Sequence, residues 1–151
     1  MFKKSVRIGI AAVALIGAAI APVFAATPDE AKAMADKAAA LVAAEGEKAF
    51  PKFEDPNGEF HQGELYVVVL DRKGVVRSTL NQKLIGVNMW EATDPDGVKF
   101  TQLSWKATEN SETAWVSYKF TNPVTKKIEP KKAWVHRVGD FVVQSGVYVK
   151  E

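Results

Sequence analysis

The sequence predicts an α+β domain, an antiparallel sheet with a long helix packed on one of its faces. Three observations predict it. A capped run of good helix formers covers residues 27–49. Five apolar or alternating runs follow, at residues 65–70, 75–80, 113–120, 131–138 and 141–149. Short turn sequences, Asp71-Arg72-Lys73-Gly74 and Gly139-Asp140, separate neighbouring runs, which suits hairpins rather than crossovers.

The helix opens at Thr27-Pro28-Asp29-Glu30. Thr27 can accept from the Glu30 amide while the Glu30 carboxylate reaches back, a capping box with Pro28 at the first helical position. Met34, Ala38, Leu41, Val42 and Ala49 fall near one stripe. Much of that stripe is alanine, so the helix can lie close to a partner but buries modest area. Gly46 weakens its last turns and Pro51 should end it. About 20 residues at helical rise give ~30 Å, enough to run along a sheet. Residues 50–63 read as a loop punctuated by Pro51, Pro56, Asn57-Gly58 and Gly63.

Residues 65–70 are the clearest strand, apolar on both faces and hence central. The next run returns from Gly74, placing Val75, Arg77 and Thr79 on one face and Val76, Ser78 and Leu80 on the other. Residues 81–97 hold short helical turns and the turn Asp94-Pro95-Asp96-Gly97. Residues 98–108 suit a helix with Phe100, Leu103 and Ala107 on one side. In the third strand Ala114, Val116, Tyr118 and Phe120 share a face. In the fourth, Lys131 shares parity with Ala133 and Val135, opposite Trp134 and His136, unless a bulge intervenes.

Residues 1–25 stand apart from this pattern. Lys3, Lys4 and Arg7 precede an Ala-rich apolar stretch, and Val23-Phe24-Ala25 offers the small residues a signal peptidase reads. That is the layout of a secretory signal cleaved after Ala25; an uncleaved anchor would want a longer apolar run. The full chain carries 20 Lys and Arg against 18 Asp and Glu; without those three cations the balance is 17 against 18, net −1. The basic character therefore belongs to the targeting segment and gives no support for nucleic-acid binding. Residues 26–151 make one domain, and with no cysteine it must stand on packing alone. A periplasmic location fits.

The run Gly63-Glu64-Leu65-Tyr66-Val67-Val68-Val69-Leu70-Asp71-Arg72-Lys73-Gly74-Val75-Val76 resembles the opening hairpin of single Cache domains, of Cache type 2. The segments Leu84-Ile85-Gly86-Val87-Asn88-Met89-Trp90, Asp94-Pro95-Asp96-Gly97, Trp115-Val116-Ser117-Tyr118, Asn122-Pro123, Pro130-Lys131 and Gly146-Val147-Tyr148 continue the resemblance in order. It implies a PAS-like five-stranded antiparallel sheet with a long N-terminal helix and short connecting helices. It also implies extracytoplasmic sensing of small molecules, often short organic acids, in chemotaxis and signal transduction. Members are usually parts of larger membrane proteins, whereas this sequence runs only to Glu151. It is therefore expected to signal through a membrane receptor or sensor partner, with a homodimer through the N-terminal helix as one arrangement.

A carboxylate needs a fixed cation or several donors beside an apolar wall. Arg77 offers a bidentate fork, Lys131 a point charge, Tyr118 a hydroxyl, and Trp90 a wall or an indole N–H. These four are the expected ligand-binding residues. The bland alternative is a solvated charge for Arg77 and Lys131, and plain core for Tyr118 and Trp90. Tyr148 reads as structural, its hydroxyl on backbone near the sheet edge. His61 and His136 form no metal-ligand cluster, and turn chemistry explains the acidic loops better than calcium does. No nucleophile elbow or phosphate loop is present. The expectation is thus an exported binder of a small organic acid, not an enzyme, without cofactor. The alternative is an accessory subunit docking on a membrane receptor or redox partner with no small ligand of its own.

Overall fold

Helix α1 (Pro28–Glu45) starts at the capping box: the Glu30 amide donates to Thr27 Oγ1 at 3.2 Å and the Thr27 amide to Glu30 Oε2 at 2.8 Å. The computed structural model describes residues 25–150 together with Gly17, so the expected signal segment lies, but for Gly17 and Ala25, outside the described residues. No helix among the described residues is long and apolar enough to cross a membrane.

The helix does not run to Pro51. Gly46 takes φ +63° and breaks it. A 3₁₀ turn (Gly46–Ala49) leads into a short helix α2 (Phe50–Glu54), with Pro51 in its first turn, where a missing N–H is harmless. The expected loop is thus partly helical, and Phe50 and Phe53 are buried. A two-stranded ribbon follows, β1 (His61–Gln62) against β2 (Leu65–Tyr66).

The main sheet has five antiparallel strands in the order β4 (Val76–Thr79), β3 (Val68–Asp71), β7 (Phe141–Tyr148), β6 (Ile128–Val138) and β5 (Thr113–Thr121). The expected strand over residues 65–70 is split at Val67, and the centre of the sheet is β7 instead. Helix α3 (Phe100–Ala107) follows the long connection after β4. That connection is pinned by Asp94, which accepts the amides of Asp96, Val98 and Lys119, each at 2.9 Å, and so ties the loop to β5.

Both sheet faces are covered. On one, the alanines of α1 let the helix approach β6 and β7, and Ala38, Ala39, Val42, Phe53, Phe60, Val69 and Val143 form the core. Asp36 of α1 accepts from Trp134 Nε1 at 2.7 Å and pairs with His136 Nδ1 at 3.0 Å. On the other, Leu70, Val76, Phe100, Trp105, Val116, Tyr118, Ala133, Val135 and Val142 pack together. The strand β6 alternates as its sequence predicts, with Trp134 and His136 toward α1 and Ala133 and Val135 on the far face.

Candidate functional site

The far face is not packed solid. Between the five strands of the main sheet and the cover of α3 and the residues after β4 lies a cavity of about 460 Å³. Its walls are mostly apolar: Val68, Leu70, Val76, Leu84, Met89 and Phe120 contribute. The strand residues that bring polar groups to it are Tyr66, Thr79, Tyr118, Thr121, Lys131 and Gln144, and the exposed Lys83 and Lys126 stand in its lining from the connections. Thr101, on the first turn of α3, adds a hydroxyl from the cover.

Lys131 reaches the cavity because β6 pairs with β7 so that Lys131 lies opposite Tyr148 and Ala133 opposite Gly146. The missing side chain at Gly146 admits the lysine stem. Lys131 is only 2% exposed. Its ammonium donates to Tyr66 Oη at 3.0 Å; Tyr66 Oη lies 3.0 Å from Tyr148 Oη, which donates to the Thr121 carbonyl at 2.7 Å. Because the Tyr148 proton goes to Thr121, Tyr66 donates to Tyr148 and presents a lone pair to the lysine. The Tyr148 bond to backbone is the one its sequence position predicts.

Aromatic faces supply the rest of the lysine's surroundings. The ammonium stands 4.3 Å from the ring centroid of Tyr66, 5.3 Å from Tyr148, 5.7 Å from Phe120 and 5.9 Å from Tyr118. Among the described residues no carboxylate forms an ion pair with it. Burial pushes its pKa down, while electrostatic attraction from Tyr118 and the Glu64 carboxylate pulls the other way. Burial likewise pushes the Tyr66 phenol up to about 12 and raises Tyr118, so both stay neutral donors at ordinary pH. Gln144 is held on both ends: its Nε2 donates to Tyr118 Oη at 3.2 Å, and its Oε1 accepts from Ser104 at 3.0 Å.

Of the four residues expected from sequence, Tyr118 and Lys131 line this cavity and Arg77 and Trp90 do not. For Arg77 the reason is a bulge. The register of β3 and β4 shifts between Val69 and Leu70, so Val69 faces Ser78 while Leu70 faces Val76. Arg77 is the extra residue, and simple alternation fails through it. Thr79 and Val76 face the cavity, whereas Arg77 lies on the helix side with Glu47 and Asp71 as partners and its guanidinium 5.7 Å from the Phe141 ring. Trp90 packs on Gly74 and lines a separate cleft of about 160 Å³ with Arg72, Trp105, Glu109 and Arg137.

Tyr66, Gln144 and Thr101 were not singled out by their sequence positions. Gln144 carried one signal, a lone amide in a strand whose other polar side chains are only the hydroxyls of Ser145 and Tyr148. Among the described residues there is no group of three or more His, Asp or Glu side chains placed to hold a metal.

The family model described as Single Cache domain 2 matches residues 24–151. Among solved structures, a methyl-accepting chemotaxis protein from Vibrio parahaemolyticus superposes with a TM-score of 0.69 at 16% identity, covering 81% of this chain and 88% of that one. A structure described as the periplasmic sensor domain of a chemotaxis protein gives 0.61 at 20% identity over 78% and 87%. A Cache chemosensory domain, described for carboxylic acid recognition, gives 0.63 at 21% identity over 81% and 88%. At such identities the likeness establishes the fold. No curated protein matches the chain.

Proposed function

This chain belongs to the single Cache domain 2 family, a family of sensing rather than catalytic domains, and we propose that it binds a small organic acid in the cavity on the far face of its sheet. One observation carries the reading. Lys131 is a buried cation on the floor of a 460 Å³ cavity, and it has a phenol and aromatic faces for company but no carboxylate ion pair among the described residues. An unpaired buried charge is expensive. A ligand carboxylate supplies what is missing, a charge-assisted bond to the ammonium. Tyr66 and Tyr118 help to shape that end, and the apolar walls take the rest of the molecule.

The working unit is residues 26–151, exported to the periplasm after removal of residues 1–25. Binding would be read by a partner such as a membrane receptor, as suits a family of sensing domains. One similar structure is described for carboxylic acid recognition, which agrees with this assignment.

The test is a thermal-shift screen of carboxylates on protein first shown by native mass spectrometry to be ligand-free. A ligand at about a hundred times its dissociation constant adds ~2.7 kcal/mol to stability. Stabilisation by carboxylates, but not by matched alcohols or amines, supports the proposal. A screen in which no carboxylate shifts the transition overturns it.

A further inference from the structure

We infer that the ligand of this cavity is a carboxylate with an apolar body of about six to ten carbons, bearing one hydroxyl or keto oxygen that Thr101 recognises. The inference rests on the reading of the cavity as a carboxylate site and narrows the class of acid.

Size narrows the ligand first. A water's share of liquid volume is ~30 Å³, so 460 Å³ is room for about fifteen waters. Acetate or propionate, with about four or five heavy atoms, would leave most of that space to water against apolar walls. Those walls come from β3, β4 and the connection after β4 as well as from Phe100 and Phe120, so they extend well beyond the lysine. A body that fills them removes apolar surface from water, which is where the affinity of such a site comes from.

One hydroxyl in the lining is an orphan. Thr101 is fully buried and lines the cavity, yet its Oγ1 has no hydrogen-bond partner. The other hydroxyls of α3 and its C-terminal cap behave differently. Ser104 Oγ shares its one proton between the Phe100 carbonyl at 3.1 Å and Gln144 Oε1 at 3.0 Å, and Thr108 Oγ1 donates to the Ser104 carbonyl at 2.9 Å. The bonds to carbonyls are the usual back-bonds of Ser and Thr in helices. A buried hydroxyl left unsatisfied is destabilising, and valine would fill the same volume without that penalty. A threonine in that position is accounted for by a ligand oxygen that completes its bond.

Calorimetric titration of ligand-free protein with acetate, hexanoate, octanoate, 2-hydroxyoctanoate and 3-hydroxyoctanoate tests both parts. Affinity should rise by roughly four-fold per methylene until the cavity is full. At least one hydroxyoctanoate should bind about five-fold or more tighter than octanoate, consistent with one net hydrogen bond. Thr101→Val should erase that preference and slightly raise the melting temperature of the free protein; Thr101→Ser should keep the preference. If acetate binds as tightly as octanoate, the size inference is overturned and the carboxylate reading stands. If the hydroxyl preference is absent, or survives Thr101→Val, the role of Thr101 is overturned. If octanol or octylamine binds as well as octanoate, the carboxylate reading itself fails.

Discussion

Gly146 makes room for Lys131: a β-carbon at residue 146 would stand 2.9 Å from the lysine Cε, and closer still to the β6 backbone, 2.8 Å from Ala133 Cα and 2.6 Å from the Lys132 carbonyl oxygen. No flexible side chain can absorb the last two contacts. Alanine at this position usually helps a folded chain by restricting the unfolded one, but here β6 and β7 must separate to admit it. Gly146→Ala is therefore expected to destabilise the domain by ~1–3 kcal/mol, the usual range for overpacking. It should also weaken carboxylate binding, because the lysine stem is displaced. Urea denaturation and a titration with the best ligand would check the pair; a stable variant with unchanged affinity would contradict the packing argument.

Lys131 should be a residue whose function and stability pull in opposite directions. Burial depresses its pKa from the ordinary value of 10.5. Between the depressed value and 10.5 the folded state binds fewer protons than the unfolded chain. Stability therefore rises with pH across that window, and below it the buried charge is a net burden. Lys131→Met keeps the stem and removes the charge. The free variant is expected to melt at the same temperature as the parent or higher at neutral pH, with a flatter alkaline limb. Its affinity for the acid should fall by about 10–100-fold, the worth of a charge-assisted hydrogen bond. Wild-type affinity should also decline as pH rises through the lysine's pKa in the complex. A variant that binds normally removes Lys131 from the site.

The contrast between Lys131 and Arg77 shows what a strand sequence can reveal. In β6 the period of two holds without interruption, so Lys131, Ala133 and Val135 share a face as their spacing says. In β4 the bulge inserts one residue, and no local composition marks it. The helix boundary departs from its sequence expectation for a similar reason: Pro51 reads as a stop, but proline is equally at home in a first turn once Gly46 has broken the chain direction. The polar lining was hidden because Tyr66, Gln144 and Thr101 come from β2, β7 and α3, and only the tertiary fold brings them together. Order of elements, hairpin turns and helix cap were legible because each depends on a few consecutive residues.

Asp36 should set part of the acid stability of the domain. Partial burial pushes its carboxyl pKa up, but hydrogen bonds from Lys32, Trp134 and His136 outweigh that and hold it below its ordinary 3.8. A carboxylate depressed in the folded state contributes stability that is fully present above 3.8 and is lost as pH falls through its folded value. Asp36→Ala leaves the half-buried Trp134 indole N–H without this acceptor. It is expected to cost ~1–3 kcal/mol at neutral pH, and to shrink the gap to wild type as pH drops below about 3.8. Melting curves from pH 7, well above the ordinary carboxylate range, down to about pH 2.5, below it, would show whether the two converge; parallel curves would mean Asp36 makes no pH-linked contribution.

Arg77 supplies the sharpest control, because a guanidinium is the more familiar carboxylate receptor. The bulge in β4 turns it toward Glu47 and Asp71 on the α1 side, and it is absent from the cavity lining. Arg77→Gln removes the charge without touching Leu70, Val76 or Thr79, which do face the cavity. Carboxylate affinity is expected to stay within about two-fold of wild type, since no bond to the ligand is lost. Stability should fall by less than ~1 kcal/mol, as befits partly exposed ion pairs. Titration of Arg77→Gln beside Lys131→Met, with the same acid, separates the two cations directly. Should the arginine variant lose binding and the lysine variant keep it, the ligand must sit on the helix side of the sheet, and the cavity described here is not its site.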